Sequence, residues 1–232
     1  MQNYSVYVQN NIIEENLYYN KKILLSYKIE YPQFFLPRFQ NNLNKINLYY
    51  KNKAYELQKT CFKKIFIEAI EEYNYSISKG YPVRQFQILL TYNITYNQYC
   101  VLSLYFEQYD YLGGAHGMTY RYSDTWDIES ANKIILSDLF HEEVNYQNYI
   151  KNIINNQIYL KQKYDNNFTF FEDTEKKVAE TLNTDSFNLT ANPYGIMAYF
   201  QLYDIAPYSM GIPEFFIPYN PKTMTWPHCN SE

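Results

Sequence analysis

YDYLGGAHGMTYRYSDTWD (residues 109–127) decides the fold, because this stretch joins a glycine-rich turn to the most regular apolar/polar alternation in the second half of the chain. Four of the five residues in the turn Gly113-Gly114-Ala115-His116-Gly117 have little or no side chain. Glycine is the usual residue where the backbone takes a positive φ or approaches another group closely. We therefore expect the turn to hold His116 in a fixed position at the rim of a sheet.

Strand-like alternation lies on both sides of this turn. The period of two runs from Phe86 to Tyr96, and a turn at Asn97-Gln98 leads to a return strand from Tyr99 to Tyr109. After the glycine turn, Met118, Tyr120, Tyr122, Trp126 and Ile128 would share one face, and Thr119, Arg121, Ser123, Thr125 and Asp127 the other. The pattern predicts a three-stranded antiparallel meander with one apolar face.

A strand and a long helix are predicted ahead of the meander. Lys22 to Tyr31 alternates as a strand does, and Pro32 and Pro37 end it. From Phe39 to about Tyr75 apolar residues recur every three or four positions, which predicts an amphipathic helix, broken once near Lys51–Lys53. Gly80 and Pro82 are its stop signals. We expect this helix to cover the sheet.

The second half repeats this arrangement on a smaller scale. Asn132 is expected to take the left-handed conformation in a turn, and Ser137 to cap a helical turn. The later elements are a short strand Ile134–Leu136, a helix from Val144 to Tyr164 stopped by Asp165-Asn166-Asn167, a short helix Thr174–Leu182, a strand beginning at Phe187, a hairpin turn at Ala191–Gly195, and strands Ile196–Tyr203 and Ile212–Ile217. The segment after Pro218 is expected to be loosely attached.

These elements predict an α+β fold in which antiparallel sheets are covered by a long helix and two lobes share a core. The expected divisions are an N-terminal lobe at residues 1–115, a C-terminal lobe at 116–220 and a tail at 221–232. A hydrophobic content of 47% supplies a sizeable core and argues against disorder. Twenty-nine tyrosines can reflect either the codon usage of an AT-rich genome or a tyrosine-rich binding face.

The net charge and the cysteine content of the chain argue against two kinds of protein, a nucleic-acid-binding protein and a disulfide-rich one. The net charge of −4, without a long run of either sign, argues against a nucleic-acid partner. The three cysteines have no paired spacing, so a disulfide framework is not indicated. Cys61 and Cys100 are expected to be small buried hydrophobic residues. No basic leader and no stretch of 18 apolar residues is present, so the chain is expected to be cytoplasmic if it is complete as written.

His116 is the first candidate for catalysis, as a general base or metal ligand beside Asp110, Asp124 or Asp127. However, neither HExxH, CxxC nor a nucleophile elbow accompanies it, and GGAHG lacks the lysine of a phosphate loop. The pairs Glu71-Glu72 and Glu142-Glu143 are adjacent and do not face each other on a helix. We expect no catalytic residue, metal or cofactor, and a structural or contact role for His116. The less favoured interpretation is that the chain is a hydrolase that uses His116.

Three segments of the chain resemble a known bacterial family. They are YLGGAHG (111–117), WDIESANKIILSDLF (126–140) and FNLTANPYGIMAYFQLYDIAPYSMGIPEFFIPY (187–219). The resemblance, over roughly residues 20–220, is to domain of unknown function 3298, with domain of unknown function 4163 on its N-terminal side. The family's "-APY-x-x-G-" turn corresponds to Ala206, Pro207, Tyr208 and Gly211. Asn132 stands where the family usually has glycine.

The resemblance implies an α+β module found mainly in Firmicutes and outside the membrane, so a removed leader or anchor would make the chain extracytoplasmic. The family occurs in RsiV-like anti-sigma factors, which bind lysozyme, and beside peptidoglycan deacetylases, whose catalysis lies in another domain. A non-catalytic module that binds a lysozyme-like protein is therefore expected, with peptidoglycan or glycan binding as the alternative. The expected contact residues are Gly113, Gly114, Ala115, His116, Gly117, Trp126, Pro207, Tyr208 and Gly211.

Overall fold

The structure, a computed structural model, describes residues 4–165, 168–182 and 185–229 of the 232-residue chain. These residues form a six-stranded sheet of order β1-β2-β3-β4-β5-β6, a three-stranded sheet of order β7-β8-β9 and four α-helices, which confirms the α+β class. The strands are β1 Tyr7–Tyr19, β2 Lys22–Phe35, β3 Phe86–Gln98, β4 Val101–Tyr111, β5 Met118–Asp127, β6 Asn132–Lys133, β7 Phe187–Ala191, β8 Tyr194–Tyr199 and β9 Glu214–Pro218.

β1 and β2 form a long antiparallel hairpin, of which only part of β2 was predicted. The turn residues Asn20 and Lys21 have φ values of 48° and 64°, the left-handed geometry that suits the twist of a two-residue hairpin. Polar residues dominate β1 and most of its side chains are exposed, so it lacks the apolar alternation that marks a strand. β2 continues through Pro32, which lies beyond the ladder that joins Leu25–Ile29 to β3.

The long helix predicted from the apolar period is present and continuous. It consists of α1 Gln40–Thr60, a π-helical turn Cys61–Ile65 and α2 Phe66–Lys79. The irregularity therefore lies at 61–65 and not at the predicted 51–53. The helix ends at Gly80 (φ 69°), as the stop signal indicated. Because this helix is a crossover connection, β3 runs parallel to β2, the exception to the antiparallel pairing expected.

The hairpin between β3 and β4 turns at Tyr99 and Cys100, with φ values of 53° and 63°, so the predicted turn at Asn97-Gln98 was wrong. The face of β5 that carries Arg121, Ser123 and Thr125 is buried although these residues are polar. The Arg121 guanidinium pairs with Glu214 and lies 4.2 Å from the ring centroid of Tyr105. Partners distant in sequence thus allow a polar face to be buried.

After β5 the chain differs locally from the prediction. Ala131, and not Asn132, takes the left-handed conformation, with a φ of 59°. The segment predicted as a strand at 134–136 leads instead into a 3₁₀ turn, Leu136–Leu139, whose cap is Ile135 and not Ser137. The Ile135 N–H donates to Asp138 Oδ2 at 3.0 Å, so the side chain of the third residue of the turn closes its beginning.

The C-terminal helices and hairpin largely follow the pattern. The helices are α3 Tyr146–Tyr164, with Ile150, Ile154 and Ile158 buried, and α4 Thr174–Thr181. Asp165 is the C-cap of α3, and the other predicted stop residues, Asn166 and Asn167, lie outside the described residues. β7 and β8 are joined by the cis peptide Asn192–Pro193. β8 ends at Tyr199, four residues before the predicted end.

The segment after Pro218 is attached, contrary to the expectation of a loose tail. Met224 pairs with Phe140 in an isolated β-bridge, and Met224 and Trp226 are only 1% and 8% exposed. Cys229 forms a disulfide with Cys100, whose Cα atom is 5.1 Å away. The absence of a disulfide predicted from cysteine spacing was therefore wrong, whereas Cys61 is free and buried as expected.

Contacts divide the chain into two units, each built from separated segments. The N-terminal unit comprises Tyr7–Tyr92 and Phe106–Tyr120, and the C-terminal unit comprises Met1–Val6, Asn93–Tyr105 and Arg121–Glu232. β3, β4 and β5 each contribute residues to both units, so neither unit is a continuous stretch of chain. The boundaries at 115 and 220 stay a prediction.

Candidate functional site

The turn of residues 113–117 lies in the N-terminal unit, between β4 and β5. Gly113 has a φ of 82°, and a Cβ at this position would lie 3.0 Å from the Phe86 ring. A Cβ on Gly117 would overlap the ring of Tyr109. Both the positive φ and the close packing expected from the glycines are therefore present, and they fix the path of the turn.

Two side chains hold the turn by its carbonyl groups: Arg84, in the segment before β3, and Tyr111, at the end of β4. Arg84 Nη1 donates to the oxygens of Gly113 and Gly114 at 2.6 and 2.7 Å. The Tyr111 hydroxyl donates to the same Gly114 oxygen at 3.1 Å. Hydrogen bonds from a charged donor are stronger than neutral ones, so Arg84 is the main clamp on this turn. Sequence patterning had not singled out Arg84, which is 29 residues away from Gly113.

His116 is exposed on this turn, and its Nδ1 lies 2.9 Å from the carbonyl oxygen of Gly117. A carbonyl can only accept, so this contact assigns the proton to Nδ1 and leaves Nε2 as the acceptor of the neutral ring. In this tautomer the ring presents an acceptor, and not a donor, at Nε2.

The carboxylates considered as partners of His116 have contacts of their own. Asp110, in the same unit, accepts from Gln108 Nε2 at 2.9 and 3.1 Å. Burial raises the pKa of Asp110, which the Gln108 hydrogen bond opposes. In the C-terminal unit Asp124 pairs with Lys133 at 2.5 Å, and Asp127 accepts from the Ser130 hydroxyl at 2.6 Å. Each of the three is thus committed to a structural contact.

Trp126, a predicted contact residue, lies in β5 within the C-terminal unit. It is 6% exposed, and Lys133 Nζ lies 5.3 Å from its ring centroid. The ring offers little surface for stacking in this conformation, and its role in partner binding stays a prediction.

Pro207, Tyr208 and Gly211 lie together at a 3₁₀ turn of the C-terminal unit, Tyr208–Met210. Gly211 ends this turn with a φ of 70°, a backbone conformation that favours glycine. The Tyr208 ring lies 5.8 Å from that of the half-exposed Tyr203. The motif therefore has a structural reason for its glycine, and its part in binding remains untested.

A cluster that sequence reasoning missed lies in the C-terminal unit. It is a groove of about 670 Å³, which we call the aromatic groove; its walls include Tyr99, His141, Tyr194, Tyr219, Trp226 and His228. Trp226 Nε1 donates to the Tyr96 hydroxyl at 3.0 Å across a separation of 130 residues. No short-range pattern marks such a cluster; the aromatic and proline content of Thr225-Trp226-Pro227-His228 was the available signal.

Within residues 4–165, 168–182 and 185–229, no group of three or more His, Cys, Asp or Glu side chains could hold a metal ion. No helix in the same ranges is long and apolar enough to cross a membrane.

Two family models match separate parts of the chain. Residues 19–119 match the model described as "Deacetylase PdaC", and residues 137–220 match "Protein of unknown function (DUF3298)". No curated protein gives a match.

Solved structures of two bacterial proteins share the fold. A DUF3298 family member from Bacteroides fragilis has a TM-score of 0.69 at 19% identity, over 94% of this chain and 92% of its own. A DUF3298 family protein from Pseudomonas aeruginosa has a TM-score of 0.61 at 17% identity, over 95% and 94%. Residues 137–220 thus match a DUF3298 domain and residues 19–119, ahead of it, a PdaC-like domain, and the chain shares the fold of the two solved structures.

Proposed function

We propose that the chain is a non-catalytic binding module of the bacterial cell envelope, and that the turn of residues 113–117 contacts a lysozyme-like protein. The two matched domains are consistent with a cell-envelope module. The lysozyme-like partner is the finer part of the proposal and comes from the resemblance to lysozyme-binding anti-sigma factors.

The single observation that supports a binding role is that the turn of residues 113–117 is held in a fixed position and has exposed side chains. Leu112 is 45% exposed, and His116 is exposed beside it. Arg84 holds the backbone between them through the carbonyl oxygens of Gly113 and Gly114. A loop that is already ordered loses less conformational entropy on association, and binding residues commonly lie on loops held by a rigid scaffold.

The disulfide between Cys100 and Cys229 supports an extracytoplasmic location. Disulfides persist in oxidising compartments such as the periplasm and the cell surface, and they are rare where thioredoxin and glutathione keep thiols reduced. A module that meets lysozyme would work in such an oxidising compartment.

A hydrolytic role for His116 is the competing candidate, because the model that matches residues 19–119 is described as a deacetylase. The hydrogen bond of His116 to the adjacent backbone and the committed contacts of the three carboxylates favour binding instead. Release of acetate from N-acetylchitotriose by the wild-type chain, lost in His116→Ala, would replace the binding role with catalysis.

The binding role is tested by calorimetric titration with lysozyme and, separately, with muropeptides. We expect saturable heat with lysozyme and an affinity about tenfold lower for His116→Ala or Leu112→Ser, since central contacts on an interface each contribute about 1–2 kcal/mol. Tyr164→Ala, which changes an exposed ring on α3, should bind as the wild type does. Absence of lysozyme heat with the wild type would remove the lysozyme assignment.

A further inference from the structure

The aromatic groove is lined by residues of the segment 221–228, by His141, by residues at the start of β8 and just after β9, and by the turn after β3. Its volume of about 670 Å³ is within the range of about 300–1,000 Å³ typical of small-molecule sites. All of its lining lies in the C-terminal unit, so it is a site separate from the turn of residues 113–117.

The rings of Trp226, Tyr194 and Tyr219 pack together and give the groove its shape. The indole ring centroid lies 4.1 Å from that of Tyr194 and 5.3 Å from that of Tyr219, and those two tyrosines are 5.5 Å apart. Trp226 itself is buried, whereas Tyr194 is 39% exposed. The indole therefore serves as a support, and the tyrosine rings provide the accessible faces.

Most polar groups of this cluster are already engaged. Tyr96 accepts a hydrogen bond from Trp226 Nε1 at 3.0 Å, and its hydroxyl interacts with that of Tyr194. His141 Nε2 lies 3.2 Å from the Pro221 oxygen, and His141 Nδ1 lies 3.1 Å from Thr225 Oγ1. His141 thus fastens the 221–228 segment.

His228 contributes an acceptor at the rim of the groove. Its Nδ1 is 3.0 Å from the carbonyl oxygen of Trp226, an acceptor, which places the proton on Nδ1 and leaves the lone pair on Nε2. A hydroxyl group of a ligand can donate to that atom.

The lining described for the groove contains no Asp, Glu, Lys or Arg. Burial raises the pKa of the Tyr194 hydroxyl, with the neighbouring Tyr96 adding to the shift, so this group stays neutral. A charged ligand would lose hydration here without gaining an ion pair. The groove is therefore suited to an uncharged ligand that has an apolar face and hydroxyl groups.

We propose that the aromatic groove binds an uncharged saccharide, with a pyranose ring stacked on the exposed Tyr194 beside the perpendicular ring of Tyr219, and a hydroxyl donating to His228 Nε2. The C–H face of a pyranose covers an aromatic ring, and its equatorial hydroxyls remain at the edge, where acceptors are needed. This goes beyond the proposed protein-binding function, because it assigns a second ligand to a different unit.

A proline-rich peptide is the rival occupant for an aromatic groove. Hydrogen bonds to peptide carbonyls require donors at the ring edges. Here the indole N–H of Trp226 donates to Tyr96, and the Tyr194 hydroxyl also interacts with the Tyr96 hydroxyl. Because these donors are engaged, the groove presents ring faces and few donors for peptide carbonyl groups. This favours a saccharide over a peptide as the ligand.

Binding should also depend on the disulfide. Cys229 follows His228, and Cys100 follows Tyr99, so the Cys100–Cys229 bond joins the neighbours of two residues that line the groove. Reduction would release the end of the 221–228 segment and widen the site. Non-specific adsorption of sugar to exposed tyrosines would not depend on this bond.

Tryptophan fluorescence provides the test, because the chain has only two tryptophans. In a Trp126→Phe background, the emission of Trp226 is titrated with N-acetylchitotriose, maltotriose and a proline-rich decapeptide. We expect a saturable change with at least one trisaccharide, weakened at least tenfold by Tyr194→Ala and at least threefold by the rim variant His228→Ala. The exposed Tyr164→Ala should have no effect, and dithiothreitol should weaken binding.

A saturable response to the peptide alone, no response to either sugar, or equal loss in Tyr164→Ala overturns the proposal. His228→Ala keeps the test decisive if Tyr194→Ala fails to fold. Lysozyme binding, measured on the same variants, should be unchanged by His228→Ala. Failure of the saccharide site is thereby distinguished from failure of the proposed protein-binding function.

Discussion

Gly117 packs directly against the ring of Tyr109, in the space that any β-carbon at residue 117 would occupy. This contact fixes the end of the turn where β5 begins. We expect Gly117→Ala to lower the free energy of unfolding by about 1–3 kcal/mol, as overpacking of a filled site does. Urea unfolding measures the change. Gly114→Ala is the matched control, because its added carbon would approach no closer than 3.7 Å to the His116 oxygen. Equal stability of the two variants would mean that the Tyr109 ring moves freely.

The disulfide gives a prediction that needs only a thiol assay. Under denaturing, non-reducing conditions one thiol per chain, that of Cys61, should react with Ellman's reagent, although the chain has three cysteines. The bond closes a separation of 129 residues, so Cys229→Ser should lower the free energy of unfolding by about 2–5 kcal/mol. Cys61→Ala should leave no reactive thiol and keep the response to reductant. Three reactive thiols in the wild type would contradict the pairing.

Ser103, in β4, forms hydrogen bonds with residues of β5 and β7 inside the C-terminal unit. Its hydroxyl lies 2.7 Å from Thr125 Oγ1 and accepts from the Leu189 N–H at 2.9 Å, fully buried. Ser103→Ala leaves that buried N–H without its partner, and we expect a loss of about 1–3 kcal/mol in the free energy of unfolding. Thermal or urea unfolding measures it. The exposed Ser209→Ala serves as the reference, and a loss no larger than in this variant would argue that the N–H finds another acceptor.

Asp110 is expected to make the free energy of unfolding depend on pH in the acid range, in the direction that its pKa shift determines. Burial raises its folded pKa above the ordinary 3.8, so between the two values the folded state binds more protons than the unfolded state. The free energy of unfolding should therefore fall as pH rises through the window just above 3.8. Asp204, whose pKa burial also raises, acts in the same direction.

Asp110→Asn should remove part of this fall and stabilise the chain near neutral pH. Urea unfolding at several values between about pH 4 and pH 7 measures the profile. Glu172→Gln, an exposed substitution, should retain the wild-type profile. A profile for Asp110→Asn that is as steep as the wild type's would show that the carboxyl is not desolvated.

Local sequence patterns were sufficient for the elements whose stabilising contacts are local. The apolar spacing of Leu43, Ile46, Tyr50 and Ala54 follows the buried stripe of α1, and Gly80 ends the long helix in the left-handed conformation that its residue type favours. Periods and stop signals act over a few residues, so a single sequence contains them.

Features that depend on distant partners could not be predicted this way. The polar face of β5 is buried because Arg121 reaches Glu214, 93 residues away. The aromatic groove needs Tyr96, Tyr194 and Trp226 together, and the disulfide joins cysteines that have no paired spacing. In each case a tertiary contact determined the role of a residue whose neighbours in sequence gave no indication of it.

Hydrogen–deuterium exchange of the chain with and without saturating lysozyme is the most direct test of the central claim, which is that the turn of residues 113–117 contacts a lysozyme-like partner. The account predicts slower exchange for peptides covering residues 112–117, with a smaller effect in His116→Ala at equal lysozyme concentration. Saturable binding that slows exchange elsewhere and leaves residues 112–117 unchanged would contradict it.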